Sequence, residues 1–93
     1  MAIKSFACRD TRTLYESGGN RRFQRIARVA LRKLDMLHAA KALSDLRAPP
    51  GNRLEALAGE RAGQHSIRVN DQWRLCFVWT EAGPANVEIV DHH

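Results

Sequence analysis

The fold is decided by positions 64–79, which read QHSIRVNDQWRLCFVW. On an extended chain successive side chains point to opposite faces, so the odd-numbered residues of the first half, His65–Val69, share one face. In the second half, every odd-numbered position from 73 to 79 carries a large apolar side chain. The pair Asn70-Asp71 between the two halves is a turn signal. The stretch therefore predicts two strands joined by a turn.

The flanking sequence extends this strand pattern in both directions. Downstream, Glu81–Pro84 predicts a turn into a last strand formed by the apolar run Val87–Val90. Upstream, Arg53–Leu57 predicts a short strand. Residues 48–52, with two prolines and a glycine, predict a loop within the domain and not a linker between domains. The apolar opening Ala2–Phe6 is a candidate for a further strand.

Two helices are predicted before the strands. Thr11–Glu16 forms the first, with Asp10 as its N-cap and Gly18-Gly19 as its stop. The second runs from Asn20 to about Ala42, with Leu43–Leu46 as a last turn. Its apolar side is formed by Phe23, Ile26, Ala30, Leu34 and Leu37. Helices followed by strands predict an α+β domain, in which the helices pack on one face of a mainly antiparallel sheet.

The opposite side of the second predicted helix is strongly basic. It carries no interleaved acid where i, i+4 ion pairs would place one. An ordinary solvated face is the alternative, since arginine is a good helix former. The pattern favours a surface that contacts phosphate groups or an acidic partner. This arginine ridge comprises Arg21, Arg25, Arg28 and Arg32.

The composition predicts one small basic domain over residues 1–93. The formal net charge of +5 favours a polyanionic partner: nucleic acid, an anionic membrane surface or an acidic protein. The sequence has neither a membrane-spanning apolar run nor a secretion signal, so we expect a cytoplasmic protein with no membrane partner. Cys8 and Cys76 match no metal or redox spacing, so we expect reduced thiols and no metal site.

Arg74 is the strongest candidate for substrate binding, because it lies inside the most hydrophobic predicted strand. If the face of Trp73 packs on the helices, Arg74 emerges on the open face. A guanidinium there can grip a phosphate with two parallel hydrogen bonds. The alternative is a structural arginine paired with Glu88. The neighbouring strands supply further arginines that would complete one basic concavity: Arg53, Arg61 and Arg68.

The last three residues carry candidate acid–base chemistry. Asp91, His92 and His93 follow the final predicted strand. Imidazole has an unperturbed pKa of about 6.5, which suits proton transfer near neutral pH. If the strand stays extended, Asp91 and His93 share one face while His92 points the other way. A frayed polar tail is the alternative.

Two long blocks of the sequence resemble the HigB-type toxins of bacterial toxin–antitoxin modules. Positions 59–77 read GERAGQHSIRVNDQWRLCF, and positions 87–93 read VEIVDHH. Positions 3–6 and 47–54 fit the family too, so the resemblance covers essentially the whole chain and is nearest to the GraT-like branch. It implies a RelE-like microbial RNase fold, with the helices packed on a small, strongly curved sheet.

The same resemblance implies a function and its partners. The protein would be a ribosome-dependent mRNA endoribonuclease (an mRNA interferase) that cleaves messenger RNA in the ribosomal A site and inhibits translation. The implied partners are the ribosome and mRNA, a HigA/GraA-type helix-turn-helix antitoxin and, through the antitoxin, operator DNA. The implied reaction uses the 2′-hydroxyl of the message as nucleophile and needs no metal or cofactor. We expect the arginine ridge to contact the ribosome.

The resemblance also assigns roles to single residues. Arg74 matches the family's phosphate-binding arginine, while Asp91 and His93 match the C-terminal catalytic acid and histidine. The second proton-transfer group stays open between Glu55 and His92. Three positions depart from the best-studied pattern, which has Tyr, His and Lys where this chain has His92, Glu55 and Ala58.

Two other functions stay open. A ParE-type toxin shares the fold and inhibits gyrase by binding, but the cluster at positions 91–93 argues against a pure binder. A non-enzymatic basic nucleic-acid-binding module would depend on its lysine and arginine contacts and not on the C-terminal histidines.

Overall fold

Two α-helices pack on one face of a four-stranded sheet, which confirms the predicted α+β architecture. The computed structural model describes residues 2–91 of the chain. Its helices and strands are α1 (Arg9–Ser17), α2 (Ala27–Ala39), β1 (Glu55–Ala56), β2 (His65–Arg68), β3 (Trp73–Thr80) and β4 (Gly83–Asp91). Neighbouring strands are antiparallel, in the order β1-β2-β3-β4. No helix in this part of the chain is long and apolar enough to cross a membrane.

The long hairpin of β3 and β4 gives the sheet its curvature. In β4 the pairing runs from Gly83 beside the turn to Asp91 at the open end. The register shifts between Cys76 and Val78, and such a β-bulge bends the strand and increases its twist. Because pairing continues beyond the bulge, β4 is longer than the run predicted to begin at Val87. A curved sheet with helices on one face is the arrangement expected of a RelE-like fold.

The hydrophobic core lies between the helices and the inner face of the sheet. Leu14 of α1 and Leu34 of α2 are fully buried in one cluster with Leu75 and Ile89 of the sheet. Burying each such side chain contributes roughly 1.5–3 kcal/mol. Thr11 Oγ1 accepts a hydrogen bond of 3.0 Å from the backbone N–H of Ile89, which fixes α1 to β4. The outer face of β3 is therefore turned away from the helices.

The second helix is shorter than the sequence predicts. The continuous helix expected over residues 20–42 is wrong, because Asn20 Oδ1 accepts a hydrogen bond of 2.9 Å from the Arg22 N–H and caps a separate 3₁₀ turn. Gln24 keeps helical dihedral angles, but Ile26 leaves them, and α2 begins only at Ala27. The physical reason is Phe23, which turns into the core and packs edge-on against Trp73, with ring centroids 5.5 Å apart.

The start of α1 also differs from the prediction, whereas its end agrees. The helix begins at Arg9, and the preceding Cys8 makes no side-chain cap hydrogen bond. Asp10 lies in the first turn, so its predicted role as N-cap is wrong. Its carboxylate instead accepts a hydrogen bond of 3.2 Å from Asn20 Nδ2. Gly18 ends the helix as predicted, with a φ of 82° in the left-handed region that favours glycine.

The predicted last turn at Leu43–Leu46 does not continue α2. A separate 3₁₀ turn forms there, because the Asp45 carboxylate accepts hydrogen bonds from the backbone N–H groups of Lys41 and Ala42, at 2.9 and 3.2 Å. These two donors hold the pKa of Asp45 below its usual value. The chain thus leaves the helix layer through a capped turn.

Two of the predicted strands are much reduced. Within the described residues, Ala2–Phe6 makes a single parallel bridge, between Phe6 and Val87. Two backbone hydrogen bonds of 3.0 Å, one donated and one accepted by Val87, hold this segment beside β4. The strand predicted over Arg53–Leu57 shrinks to β1, because the backbone at Arg53 is left-handed, with a φ of 46°.

Candidate active site

The outer face of the sheet, opposite the helices, carries a cavity of about 400 Å³, which we call the active-site cavity. Successive side chains of a strand point to opposite faces, so burying Leu75 in the core turns its neighbour Arg74 to this side. The lining includes Leu57, Arg61, Ser66, Arg74, Cys76 and Asp91. The fold therefore brings Arg74 together with two other residues selected from the sequence, Arg61 and Asp91.

Arg74 is held firmly in the cavity wall. It lies on the face opposite the helices, as predicted, but it is only 5% exposed, so the expectation that this face is open at Arg74 is wrong. Its Nε donates to Ser66 Oγ at 2.8 Å, and its Nη2 donates to the Arg53 carbonyl at 2.7 Å and to the Ser66 carbonyl at 3.4 Å. In the described part of the chain, Nη1 has no hydrogen-bond partner. This nitrogen can donate to a ligand in the cavity.

Among residues 2–91, one ion pair, with the Glu55 carboxylate, balances the charge of Arg74 only weakly. The alternative pair of Arg74 with Glu88 is wrong, because Glu88 Oε1 accepts a hydrogen bond of 2.9 Å from Arg61 Nη1. The carboxylate of Glu55 lies 4.0 Å from Arg74 Nη2 and is half exposed, so water weakens this attraction. A buried cation held mainly by neutral oxygen atoms favours an anionic ligand.

Arg61 forms a second basic wall of the cavity. Its Nη1 donates to Glu88 Oε1 at 2.9 Å and to Gln64 Oε1 at 3.1 Å. The hydrogen bond to Glu88 raises the pKa of Arg61, against the opposing effect of burial. Because Glu88 balances this charge, Arg61 shapes the cavity more than it adds to its net positive charge.

Asp91 lies at the rim of the cavity, where β4 ends opposite Trp73. Its Oδ2 accepts a hydrogen bond of 3.1 Å from Gln72 Nε2, which orients the carboxylate. His92 and His93, the residues predicted to transfer protons, lie outside the described residues. Their roles stay predictions.

Two of the arginines expected in the concavity are not part of its described lining. Arg53 exposes its side chain and contributes only its carbonyl, which accepts from Arg74. Arg68 is half-buried and forms an ion pair with Asp71. The basic concavity is therefore narrower than the sequence suggests, and an RNA-binding role for these two residues stays a prediction.

The sequence did not reveal the residues that fix the loop on which the position of Arg74 depends. Asn52 is fully buried, and its Nδ2 donates to the backbone carbonyls of Leu46 and Ala48, at 3.1 and 3.2 Å. Lys33 Nζ donates to Asn52 Oδ1 at 2.5 Å. We call this arrangement the Asn52 hub. It fixes the loop directly before Arg53, whose carbonyl receives Arg74.

The sequence gives only a weak signal for this hub. Asn52 follows Pro49-Pro50-Gly51, where asparagine is an ordinary turn residue. Lys33 follows a ridge residue, Arg32, and resembles one more solvated cation. In the structure burial lowers the pKa of Lys33, and the charges of Arg32 and Arg68 add to this effect. A buried lysine beside a neutral amide cannot be recognised from residue types alone.

Cys76 brings a thiol into the cavity wall. Burial raises its pKa, so the thiol is protonated near neutral pH and is a poor nucleophile. Cys8 and Cys76 are both free, as the sequence predicts. Across residues 2–91, no three side chains of His, Cys, Asp or Glu are grouped so that they could hold a metal ion. The described cavity thus offers positive charge, hydrogen bonds and two carboxylates, those of Glu60 and Asp91.

The arginine ridge is not one helical face, because the helix predicted to carry it is interrupted. Arg21 and Arg25 precede α2 and line a second cavity together with Trp73. Arg28 and Arg32 lie on α2 with exposed side chains, outside that lining. The ridge divides into two pairs with different surroundings.

Comparisons with known proteins agree with the resemblance. A family model described as "RelE-like toxin of type II toxin-antitoxin system HigB" matches residues 4–93. Toxin HigB-1 of Vibrio cholerae is 49% identical over 67 residues, which cover 72% of this chain and 70% of that protein. An uncharacterized protein of Haemophilus influenzae is 42% identical over 66 residues, which cover 71% of this chain and 64% of that protein. Closeness to the GraT-like branch stays a prediction.

Proposed function

The chain belongs to the HigB-like family of RelE-like toxins of type II toxin–antitoxin systems, and on this premise we propose that it is a ribosome-dependent mRNA endoribonuclease. It cleaves messenger RNA in the ribosomal A site and thereby inhibits translation. The observation that carries this proposal is Arg74, a buried guanidinium with an unused donor in the same cavity as the Asp91 carboxylate. Phosphodiester cleavage needs such a cation next to acid–base groups.

Arg74 stabilises the charge that develops on the phosphate. In the proposed reaction the 2′-oxygen of the message attacks the neighbouring phosphorus, and the bond between phosphorus and the 5′-oxygen breaks. One proton leaves the 2′-hydroxyl, another reaches the 5′-oxygen, and the products are a cyclic phosphate and a free 5′-hydroxyl. Arg74 Nη1 donates to the phosphoryl oxygens. A preorganised donor of this kind typically contributes about 100- to 1,000-fold to the rate.

The C-terminal residues transfer the protons in this mechanism. His93 is the proton-transfer residue. Asp91 orients the imidazole of His93 and favours its charged form, since a negative neighbour raises the pKa of an imidazole. This assignment is supported by the place of Asp91 at the rim of the cavity. The second proton-transfer group is Glu55 or His92. The Glu55 carboxylate lies 4.0 Å from Arg74 Nη2, within reach of the same phosphate.

Neither a metal nor a cofactor takes part in the proposed reaction. The nucleophile is supplied by the RNA itself, and the positive charge is supplied by arginine. The RNA next to the cavity is contacted by Arg53, Arg61 and Arg68. The ribosome is contacted by the arginine ridge, Arg21, Arg25, Arg28 and Arg32.

As a toxin of a type II system, the protein has an antitoxin partner. We propose that this partner is a HigA/GraA-type protein with a helix-turn-helix, through which the pair binds operator DNA. The place of action is the cytoplasm, where the ribosomes are.

Induced expression with mapping of transcript 5′ ends tests the proposed function. New 5′ ends in frame with codons, absent when Arg74→Ala is induced, are the expected result. Intact messages with an SOS response would refute the proposal and indicate a gyrase-inhibiting toxin of the ParE type. Intact messages without an SOS response would refute it in favour of a non-enzymatic nucleic-acid-binding module.

A further inference from the structure

A second cavity of about 710 Å³ lies at the open end of the β3–β4 hairpin. It is an open cleft between the 3₁₀ turn Arg21–Phe23 and the turn that precedes β3. Its polar lining consists of Arg21, Arg22, Gln24, Arg25, Asn70 and Gln72, with Trp73 as an aromatic wall. No Asp or Glu is among the lining residues in the described chain. We call this feature the arginine cleft.

The three arginines of the cleft differ in how firmly they are held. Arg22 is anchored, since its Nη1 lies 3.5 Å from the Asp10 carboxylate and its guanidinium stands over the rings of Phe23 and Trp73, 4.9 and 5.8 Å from their centroids. Arg21 and Arg25 are exposed and have no ion pair or hydrogen bond with their side chains within residues 2–91. Two unpaired cations therefore flank an anchored one.

Trp73 gives the cleft a rigid aromatic surface. Its ring system is nearly perpendicular to the ring of Phe23, with ring centroids 5.5 Å apart, and the residue remains half-exposed. Asn70 Oδ1 accepts hydrogen bonds from the backbone N–H groups of Gln72 and Trp73, at 2.9 and 2.8 Å, which fixes the turn before β3. Cations beside a fixed aromatic ring are the combination that binds single-stranded nucleic acid.

The cleft adjoins the active-site cavity. Gln72 lines the cleft, Asp91 lines the active-site cavity, and Gln72 Nε2 donates to Asp91 Oδ2 at 3.1 Å. The two residues joined by this hydrogen bond form the rim that the two cavities share. A strand of RNA that leaves the active-site cavity past Asp91 meets the cleft next.

We propose that the arginine cleft binds the nucleotides of the message next to the cleavage site, an inference that rests on the proposed function. Arg21 and Arg25, which the proposed function places against the ribosome with the rest of the arginine ridge, are reassigned here to the phosphates of the message, and a base stacks on Trp73. An acidic segment of a protein could use the cations, but it would not need the aromatic wall or the shared rim. The observations therefore favour single-stranded RNA over an acidic partner.

Binding of a labelled short oligouridylate to the purified full chain, without ribosomes, tests the cleft separately from catalysis. The double variant Arg21→Gln/Arg25→Gln should bind about tenfold more weakly at low salt. The slope of log affinity against log salt should fall by about 1.4, because each phosphate contact on a single strand contributes about 0.7. Unchanged affinity and slope would overturn the proposal.

A matched control removes the same charge elsewhere. Lys41 and Arg47 are exposed, belong to neither cavity lining, and make no described side-chain hydrogen bonds. The double variant Lys41→Gln/Arg47→Gln should change oligouridylate affinity by less than about twofold beyond the general effect of net charge. Equal losses in the two double variants would mean that binding depends on overall charge, which overturns the proposal.

Tryptophan fluorescence tests the aromatic wall. The chain has two tryptophans, so Trp79→Phe leaves Trp73 as the single emitter. Oligouridylate should quench its emission, and polyglutamate at the same charge concentration should not. Equal affinity for polyglutamate, or RNA binding without quenching, would refute a base-stacking site and favour an acidic protein partner.

Programmed ribosomes decide which RNA occupies the cleft. The cleavage penalty of Arg21→Gln/Arg25→Gln should disappear on messages cut back to the edges of the A-site codon. A penalty that persists assigns the cleft to ribosomal RNA and overturns the proposal. Failure of the proposed function, with no message cleavage in any variant, leaves the oligouridylate measurements as an independent test of the cleft.

Discussion

Arg74 and the arginines of the cleft show two uses of one residue type. Arg74 is 5% exposed, and its guanidinium is fixed by Ser66 and the Arg53 carbonyl before any substrate arrives. Arg21 and Arg25 are exposed and have no described partners. The fixed cation has lost its conformational freedom during folding, whereas the exposed cations lose theirs on binding.

The difference predicts distinct kinetic roles. A preorganised donor acts on the transition state and should change the cleavage rate at saturating ribosome concentration. Exposed cations act on encounter and affinity, and salt screens them with a Debye length of about 8 Å at physiological ionic strength. Variants of the two regions should therefore separate in salt dependence as well as in magnitude.

The largest effect is expected at the C-terminal histidines. Deleting His92 and His93 should reduce single-turnover cleavage by roughly a hundredfold to ten-thousandfold, the usual worth of proton transfer. His93→Ala should reproduce most of this loss, and His92→Ala less. Ribosome and antitoxin binding should stay close to wild type. Cleavage on programmed ribosomes across pH measures the effect. A wild-type rate after the double deletion would mean that the two histidines belong to a polar tail without a catalytic role.

The fixed cation itself comes next. Arg74→Ala should abolish toxicity through a loss of about 100- to 1,000-fold in cleavage rate, with little change in the salt dependence of ribosome binding. Arg74→Lys should rescue little, since an ammonium cannot donate along two edges as a guanidinium does. Growth assays with antitoxin pull-down measure both. Growth arrest equal to wild type would disprove the role, and loss of folding would make Arg74 a structural residue.

The Asn52 hub should produce a smaller effect on both stability and rate. Asn52→Ala leaves a buried ammonium, a buried carbonyl and a partly buried carbonyl without their partner, so the free energy of unfolding should fall by about 1–3 kcal/mol. Misplacement of the Arg53 carbonyl should lower the cleavage rate roughly tenfold to a hundredfold. Ser44→Ala, an exposed change in the same segment, is the control. Equal denaturation midpoints for the two variants would contradict the prediction.

The smallest effect is expected on α2. Charge reversal of Arg28 and Arg32 should weaken ribosome binding by about tenfold at low salt and much less at high salt. The single-turnover rate at saturating ribosomes should not change. Sedimentation with ribosomes over a salt series measures the binding. Unchanged affinity at low salt would make this pair an antitoxin surface or a plain solvated face.

The sequence predicts the regions where a local pattern decides the structure. The alternation over residues 64–79 specifies β2 and β3, because the apolar face of each strand must pack against the hydrophobic core. The interruption before α2 could not be predicted in the same way. Phe23 and Ile26 lie at a spacing that a continuous helix also satisfies, and this spacing does not show the contact of Phe23 with Trp73, 50 positions along the chain.

In the candidate site, too, the features that follow from a local pattern could be predicted, and those that depend on long-range contacts could not. The alternation of side chains along the strand predicted that Arg74 lies on the outer face of the sheet. The family resemblance predicted that Asp91 belongs to the same site. The buried guanidinium of Arg74 is held by the carbonyl of Arg53, and the charge of Arg61 is balanced by Glu88, 27 residues away. Such long-range pairs leave no periodic signal in a single sequence.

The Asn52 hub has a consequence for how order is distributed in the protein. Arg74 sits in a well-paired strand, yet its guanidinium is fixed by a loop that Lys33 of α2 holds in place. Local opening of that loop breaks only a few side-chain hydrogen bonds and the two-residue pairing of β1. It therefore costs far less free energy than global unfolding. Such opening removes the hydrogen bond from Arg74 Nη2 to the Arg53 carbonyl and leaves the one to Ser66, so this local equilibrium sets the fraction of molecules in which the guanidinium is fully ordered. In hydrogen exchange, the amides around Asn52 and Arg53 would report catalytic competence, while the slow amides of β3 would report only survival of the fold.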